Sequence, residues 1–178
     1  MKFLSDVRLL LLGLWLGAAV FFIAVAQSAF AVMPTRELAG QLVSRTLAIL
    51  NYSGLGIAVV LLATSALVVA AGTNKVMLWA ERVLLIIVAV ACAVAQFVIA
   101  WWLLLVRTQM GRPIDEVPAD DPLRVQFNDL HQWSTWAMMA AMAAALIAFF
   151  LIANRRAAAA PPKKTGPADF DFSKQFKI

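Results

Sequence analysis

His131 is the only histidine in the chain, and it is the residue with the most chemistry open to it. An imidazole titrates near neutral pH, shuttles protons and ligates metals or haem iron. Phe127, Leu130, His131, Ser134 and Met138 recur at three- and four-residue spacing, which puts them on one helical face. The set falls short of a catalytic triad. No nucleophile-elbow glycines flank Ser134, and the acidic residues lie in the segment leading up to it. It also falls short of a metal site, which usually takes three or four ligands. Met138, Met139 and Met142 are soft ligands in principle, but a methionine stripe on an apolar helix more often fills packing gaps. His131 is therefore a weak candidate ligand, and no catalytic residue, metal or cofactor is assigned. Cys92 sits alone in an apolar block and reads as a small packing residue. Glycine-rich phosphate-binding loops are absent.

The remaining polar residues inside apolar blocks are few. Gln27, Asn51, Tyr52, Gln96, His131 and Ser134 are all predicted at similar depth, toward one leaflet. Polar groups surrounded by lipid turn inward and pair, so these six form a candidate polar pocket. The plainer reading is a set of interhelical hydrogen bonds, each worth under about 1 kcal/mol.

Any such pocket needs helices to hold it. The chain has 178 residues, is 63% hydrophobic and only 14% charged, against about 45–50% apolar in soluble domains. Four blocks without Lys, Arg, Asp or Glu stand out: Leu9–Val32, Leu47–Ala71, Val83–Val106 and Trp133–Ala153. About 20 residues of helix cross a hydrocarbon core of about 30 Å. The sequence therefore predicts an all-α polytopic membrane protein, a four-transmembrane-helix bundle with helices near 9–32, 47–71, 76–106 and 124–153 in one membrane domain, 1–153. The first block exceeds the 7–15 apolar residues of a signal peptide, so it is read as a retained helix despite small-residue strings at Ala24–Ala26 and Ala29–Ala31. Pro34 ends it. Thr35–Leu47 reads as a short interfacial helix, with Leu38, Leu42 and Val43 on one side. A tight turn at Gly72-Thr73-Asn74 makes helices two and three antiparallel. Residues 154–178 read as a disordered tail, with Phe170-Asp171-Phe172 and Phe176 as an alternative docking motif. Small residues that let helix backbones approach closely are Gly13 and Gly17 on the first helix, and Ala137, Ala141, Ala144 and Ala148 on the last.

The net charge of +5 points to topology and not to nucleic acid. With both termini on one side, that side carries Lys2, Arg8, Lys75, Arg82, Arg155, Arg156, Lys163, Lys164, Lys174 and Lys177. The other carries Arg36, Arg45, Arg107, Arg112 and Arg124. Ten cations against five favour cytoplasmic termini. Trp101, Trp102, Trp133 and Trp136 flank the acidic loop on the opposite side, as interfacial tryptophans do.

The pattern Asp121-Pro122, Phe127, Leu130-His131 and Ser134, together with the string Leu14–Phe22, resembles the family of transmembrane protein 205 and its bacterial relatives, a domain of unknown function. The likeness covers about residues 8–153. It implies four helices, handling of small molecules and a bacterial inner membrane. It supplies no catalytic residues. Gln96 stands where relatives often carry a basic or amide residue in the third helix.

Three functions follow, from different classes. The first is a structural or accessory bundle associating with other membrane components, as a homo-oligomer or within a larger complex. The second is a small-solute or metal transport or resistance protein, against which stands the lack of a carboxylate in the four blocks. The third is a haem- or metal-binding redox protein using His131.

Overall fold

Capping residues fix where two of the helices begin. Thr35 is extended (φ −134°, ψ 147°) and its hydroxyl accepts the Leu38 N–H at 3.3 Å. The Asp121 carboxylate accepts the Leu123 N–H at 2.9 Å. Pro122 takes the first helical position, where its missing N–H would have had no helical partner. Gly111, left-handed at φ 62°, closes the third long rod.

The computed structural model describes residues 2–66 and 75–159. Its elements are α1 (Lys2–Val32), α2 (Arg36–Ser65), α3 (Lys75–Ala93), a π-helical segment (Val94–Ile99), α4 (Ala100–Met110), a 3-10 turn (Ile114–Glu116) and α5 (Pro122–Ala159). The α3, π and α4 segments run on as one rod. Four rods result, each long and apolar enough to cross a membrane. The chain is an all-helical, membrane-embedded four-helix bundle.

α1 packs on α2 and α5, and α3 packs on the same two helices. α1 and α3 therefore face each other across a diagonal. Buried positions repeat at steps of three and four: Leu12, Trp15 and Ala19 on α1; Leu85, Val88 and Cys92 on α3; Met138, Ala141, Ala145, Ala148 and Ile152 on α5. These stripes make the core. Phe21, Ile49, Ile87 and Phe150 lie exposed on the outside, a surface that water would not tolerate at this extent and lipid does.

One close contact between α1 and α2 is made by an indole. Trp15 Nε1 donates to the Leu50 carbonyl at 3.0 Å, and its ring lies on Gly54 beside Cys92. Of the small residues singled out in the sequence, Ala141, Ala144 and Ala148 are buried and Ala137 is half-buried. Gly13 lies near Phe149, whereas Gly17 faces open space.

One boundary differs from the sequence reading. The expected interfacial helix at 35–47 is not separate, because α2 runs unbroken from Arg36. Ala39 and Val43 bury against Ala29 of α1, so these turns belong to the bundle, and no proline or helix break divides them from Leu47. The loop before α5 contains the 3-10 turn, and Val117 within it is buried. The turn at 72–74, the end of the expected second helix at 67–71 and the tail from 160 lie outside the described residues, as do the side chains from 155 onward.

A Cβ at position 54 would lie 2.7 Å from Trp15 Nε1 and 2.9 Å from Cys92 Sγ. Gly54→Ala is therefore expected to lower the melting temperature in detergent, by an amount matching an overpacking cost of ~1–3 kcal/mol. Gly17→Ala meets nothing within 4 Å and should hold or raise it. Circular dichroism melts of the two variants check the pair.

Candidate functional site

The stripes that build the core do not end where the apolar blocks end. On α1 the buried series Ala19, Trp15, Leu12 continues one turn back to Arg8, which is 1% exposed. On α3 the series Cys92, Val88, Leu85 continues to Glu81, also 1% exposed. On α2 Gly54, Ala58 and Leu61 lead to Ser65. Helical spacing thus drives three polar side chains into one end of the bundle.

There they bond to one another and to backbone. Arg8 Nη2 donates to Glu81 Oε1 at 2.5 Å and to the Leu61 carbonyl at 2.9 Å. Arg82 Nε donates to Ser65 Oγ at 3.0 Å, and the Ser65 hydroxyl donates to the Leu62 carbonyl at 2.7 Å. The ion pair joins α1 to α3 across the diagonal, and the same guanidinium holds α2. Removing two such charges from water costs several kcal/mol per ion, which only close pairing and further hydrogen bonds offset. Sequence reading missed this site because the apolar blocks were counted from Leu9 and Val83, just past both residues. The signal was present: each lies in register with its core stripe.

A second tier of charge closes the other end. Arg107 pairs with Glu37, and Arg36 with Asp115 at 3.5 Å. Arg124 donates to the Val117 carbonyl. These groups are partly or well exposed, so each pair is worth at most about 1 kcal/mol. The spacing of the tiers fixes their depth. Glu37 and Leu61 are 24 residues apart on one helix, about 36 Å at 1.5 Å per residue. The hydrocarbon core is about 30 Å thick. Both tiers therefore sit at its edges, and the Arg8–Glu81 pair is shielded by protein at the boundary, not suspended at mid-membrane.

The six polar residues read as a pocket are dispersed. Asn51 and Ser134 are buried, and Gln96 is half-buried within the π-helical segment. Gln27, Tyr52 and His131 are exposed. The Tyr52 ring meets Phe97 edge-on at 5.9 Å, which brings the Asn51–Tyr52 turn beside the Gln96–Phe97 turn. Among the described residues no hydrogen bond joins any two of the six. The described residues also contain no group of three His, Cys, Asp or Glu placed to share a metal.

A family model described as a domain of unknown function, DUF4149, matches residues 10–112, more than half of the chain. The match runs from α1 through α4 and includes Glu81. No curated protein and no solved structure matches the chain. The string Leu14–Phe22 falls inside the match, and Asp121–Ser134 falls beyond it. The match supports an uncharacterised membrane-domain family and does not carry the narrower likeness to transmembrane protein 205.

Breaking a buried ion pair from one side leaves a charge uncompensated. Glu81→Leu or Arg8→Met alone is expected to cost ~3–5 kcal/mol, and the double variant much less than the sum. Thermal unfolding of the three variants in one detergent measures the coupling. Strictly additive losses would show that the pair is not a unit.

Proposed function

The chain belongs to the DUF4149 family, a domain of unknown function, and on that premise we propose that it is an accessory membrane bundle whose work is done by its outer surface. One observation carries this reading. The bonded polar groups of the described interior are engaged in tying helices together: Arg8 with Glu81 and Leu61, Arg82 with Ser65, Trp15 with Leu50. Between the charged tiers the core is mostly apolar side chains and alanines, with Ala19, Leu61, Leu85 and Ala148 fully enclosed and Asn51 and Ser134 buried among them. A packed, cross-linked interior suits a rigid body that presents its faces to neighbours. Those neighbours are a second copy of the chain or other membrane components. The cation bias supports cytoplasmic termini, and the likeness to transmembrane protein 205 supports a bacterial inner membrane.

A second reading, small-solute transport, draws on Glu81. A carboxylate inside a spanning rod is the usual mark of ion coupling, and α3 supplies one outside the apolar block first counted. The accessory reading is preferred because Glu81 lies at the edge of the hydrocarbon and is bonded to Arg8. The redox reading through His131 draws no support from an exposed imidazole.

Extraction in mild detergent followed by sizing and mass spectrometry tests the accessory reading. A stoichiometric membrane partner or a stable homo-oligomer is expected, and a clean monomer would overturn it. For transport, the expected sign is altered cell sensitivity to metals or toxic organics that disappears in Glu81→Gln at equal abundance. An unchanged sensitivity panel removes that reading.

A further inference from the structure

A groove on the outside of the bundle, between α3 and α5 at the end that holds the Arg8–Glu81 pair, has a composition that the accessory reading does not require. Its floor and walls are apolar: Ala80, Val83 and Leu84 from α3, Ile147 and Leu151 from α5. Trp79 stands at its side, 70% exposed, and Lys75 sits at its mouth, exposed at the first residue of α3. Lys75, Trp79 and Val83 follow at four-residue steps, so the ammonium, the indole and the aliphatic wall lie in line down one helix face. From Lys75 to Leu84 the groove runs about 14 Å, close to one leaflet's half of the ~30 Å hydrocarbon core. An indole one turn below an ammonium is the order of groups at a bilayer surface, with the ring at headgroup level and the cation outside it.

We propose that this groove is a binding site for one anionic glycerophospholipid, with an acyl chain along Ala80 and Leu84 and the headgroup phosphate on Lys75. A zwitterionic lipid would fill the same groove with hydrocarbon. The anionic one adds a net charge that Lys75 complements near the membrane surface, where a cation is attracted to anionic lipid. The site stands apart from any protein partner, since it needs only the described groove and a lipid.

The test is native mass spectrometry of the full chain in detergent, titrated with phosphatidylglycerol or phosphatidylcholine of identical chains. One phosphatidylglycerol is expected to be retained several-fold better than phosphatidylcholine, with the preference shrinking as salt rises. Lys75→Gln, a surface change that should leave the melting temperature unaltered, is expected to erase the preference while apolar retention persists. Ala80→Leu, which fills the groove, is expected to weaken both lipids. Equal retention of the two lipids by the unmodified chain overturns the proposal, as does a preference that survives Lys75→Gln. Displacement of bound lipid by inorganic phosphate alone also overturns it, because the acyl groove would then contribute nothing.

Discussion

The bundle depends on a guanidinium and a carboxylate held in contact where neither can reach water. Arg8 and Glu81 come from helices that face each other across the diagonal, so the pair determines how far apart α1 and α3 stand at that end. Because Arg8 also takes the Leu61 carbonyl, α2 is positioned by the same side chain. Apolar packing between lipid-covered helices is weakly directional, since lipid tails compete with neighbouring side chains for the same contacts. A charged contact enclosed by protein on all sides has no such competitor. It therefore selects one arrangement among several that greasy surfaces alone would allow, a specificity role of the kind buried polar groups play in some bundles.

The two ends solve the problem of charge at a membrane boundary differently. At one end the charges are enclosed and tied to three helices. At the other, Glu37, Arg107, Arg36 and Asp115 pair in partial contact with solvent, where pairs add little stability. There the start of α2 is held mainly by Ala39 and Val43 against Ala29. The π-helical segment lies nearer that end and carries Gln96. Such segments interrupt the regular ladder and are often found at functional positions. Rigidity is thus concentrated toward Arg8 and Glu81, and local departures from regular helix lie toward the acidic loop.

The four spans were legible because lipid imposes a coarse rule: about 20 apolar residues without charge. That rule located the rods but not their ends, since a helix continues as long as its caps and its packing allow. Thr35 begins α2 well before the apolar block because Ala39 and Val43 have α1 to bury against. The same counting habit hid Arg8 and Glu81, which look like flanking charges when read by hydropathy and like core residues when read by register. Asn51 and Ser134 were singled out as polar and do lie inside, on the faces that carry Gly54 and Met138. Gln27, Tyr52 and His131 are exposed on the outside of the bundle, because depth along a helix says nothing about the angle around it.

The position of Glu81 bears on what the bundle does. A carboxylate that moves ions must change partners during its cycle, and it does so most usefully where the field and the barrier are greatest, toward the middle of the membrane. Glu81 lies about 36 Å from the opposite charged tier, measured along α2 to the level of Leu61. It is therefore close to the water boundary, yet its own surroundings exclude water. To exchange Arg8 for another partner, the carboxylate would have to leave a guanidinium that also anchors α2, and the vacated charge would remain buried at a cost of several kcal/mol. A site with that geometry resists cycling and favours staying closed. The outer face at that end carries Trp79, Ile147 and Leu151 over this closed interior.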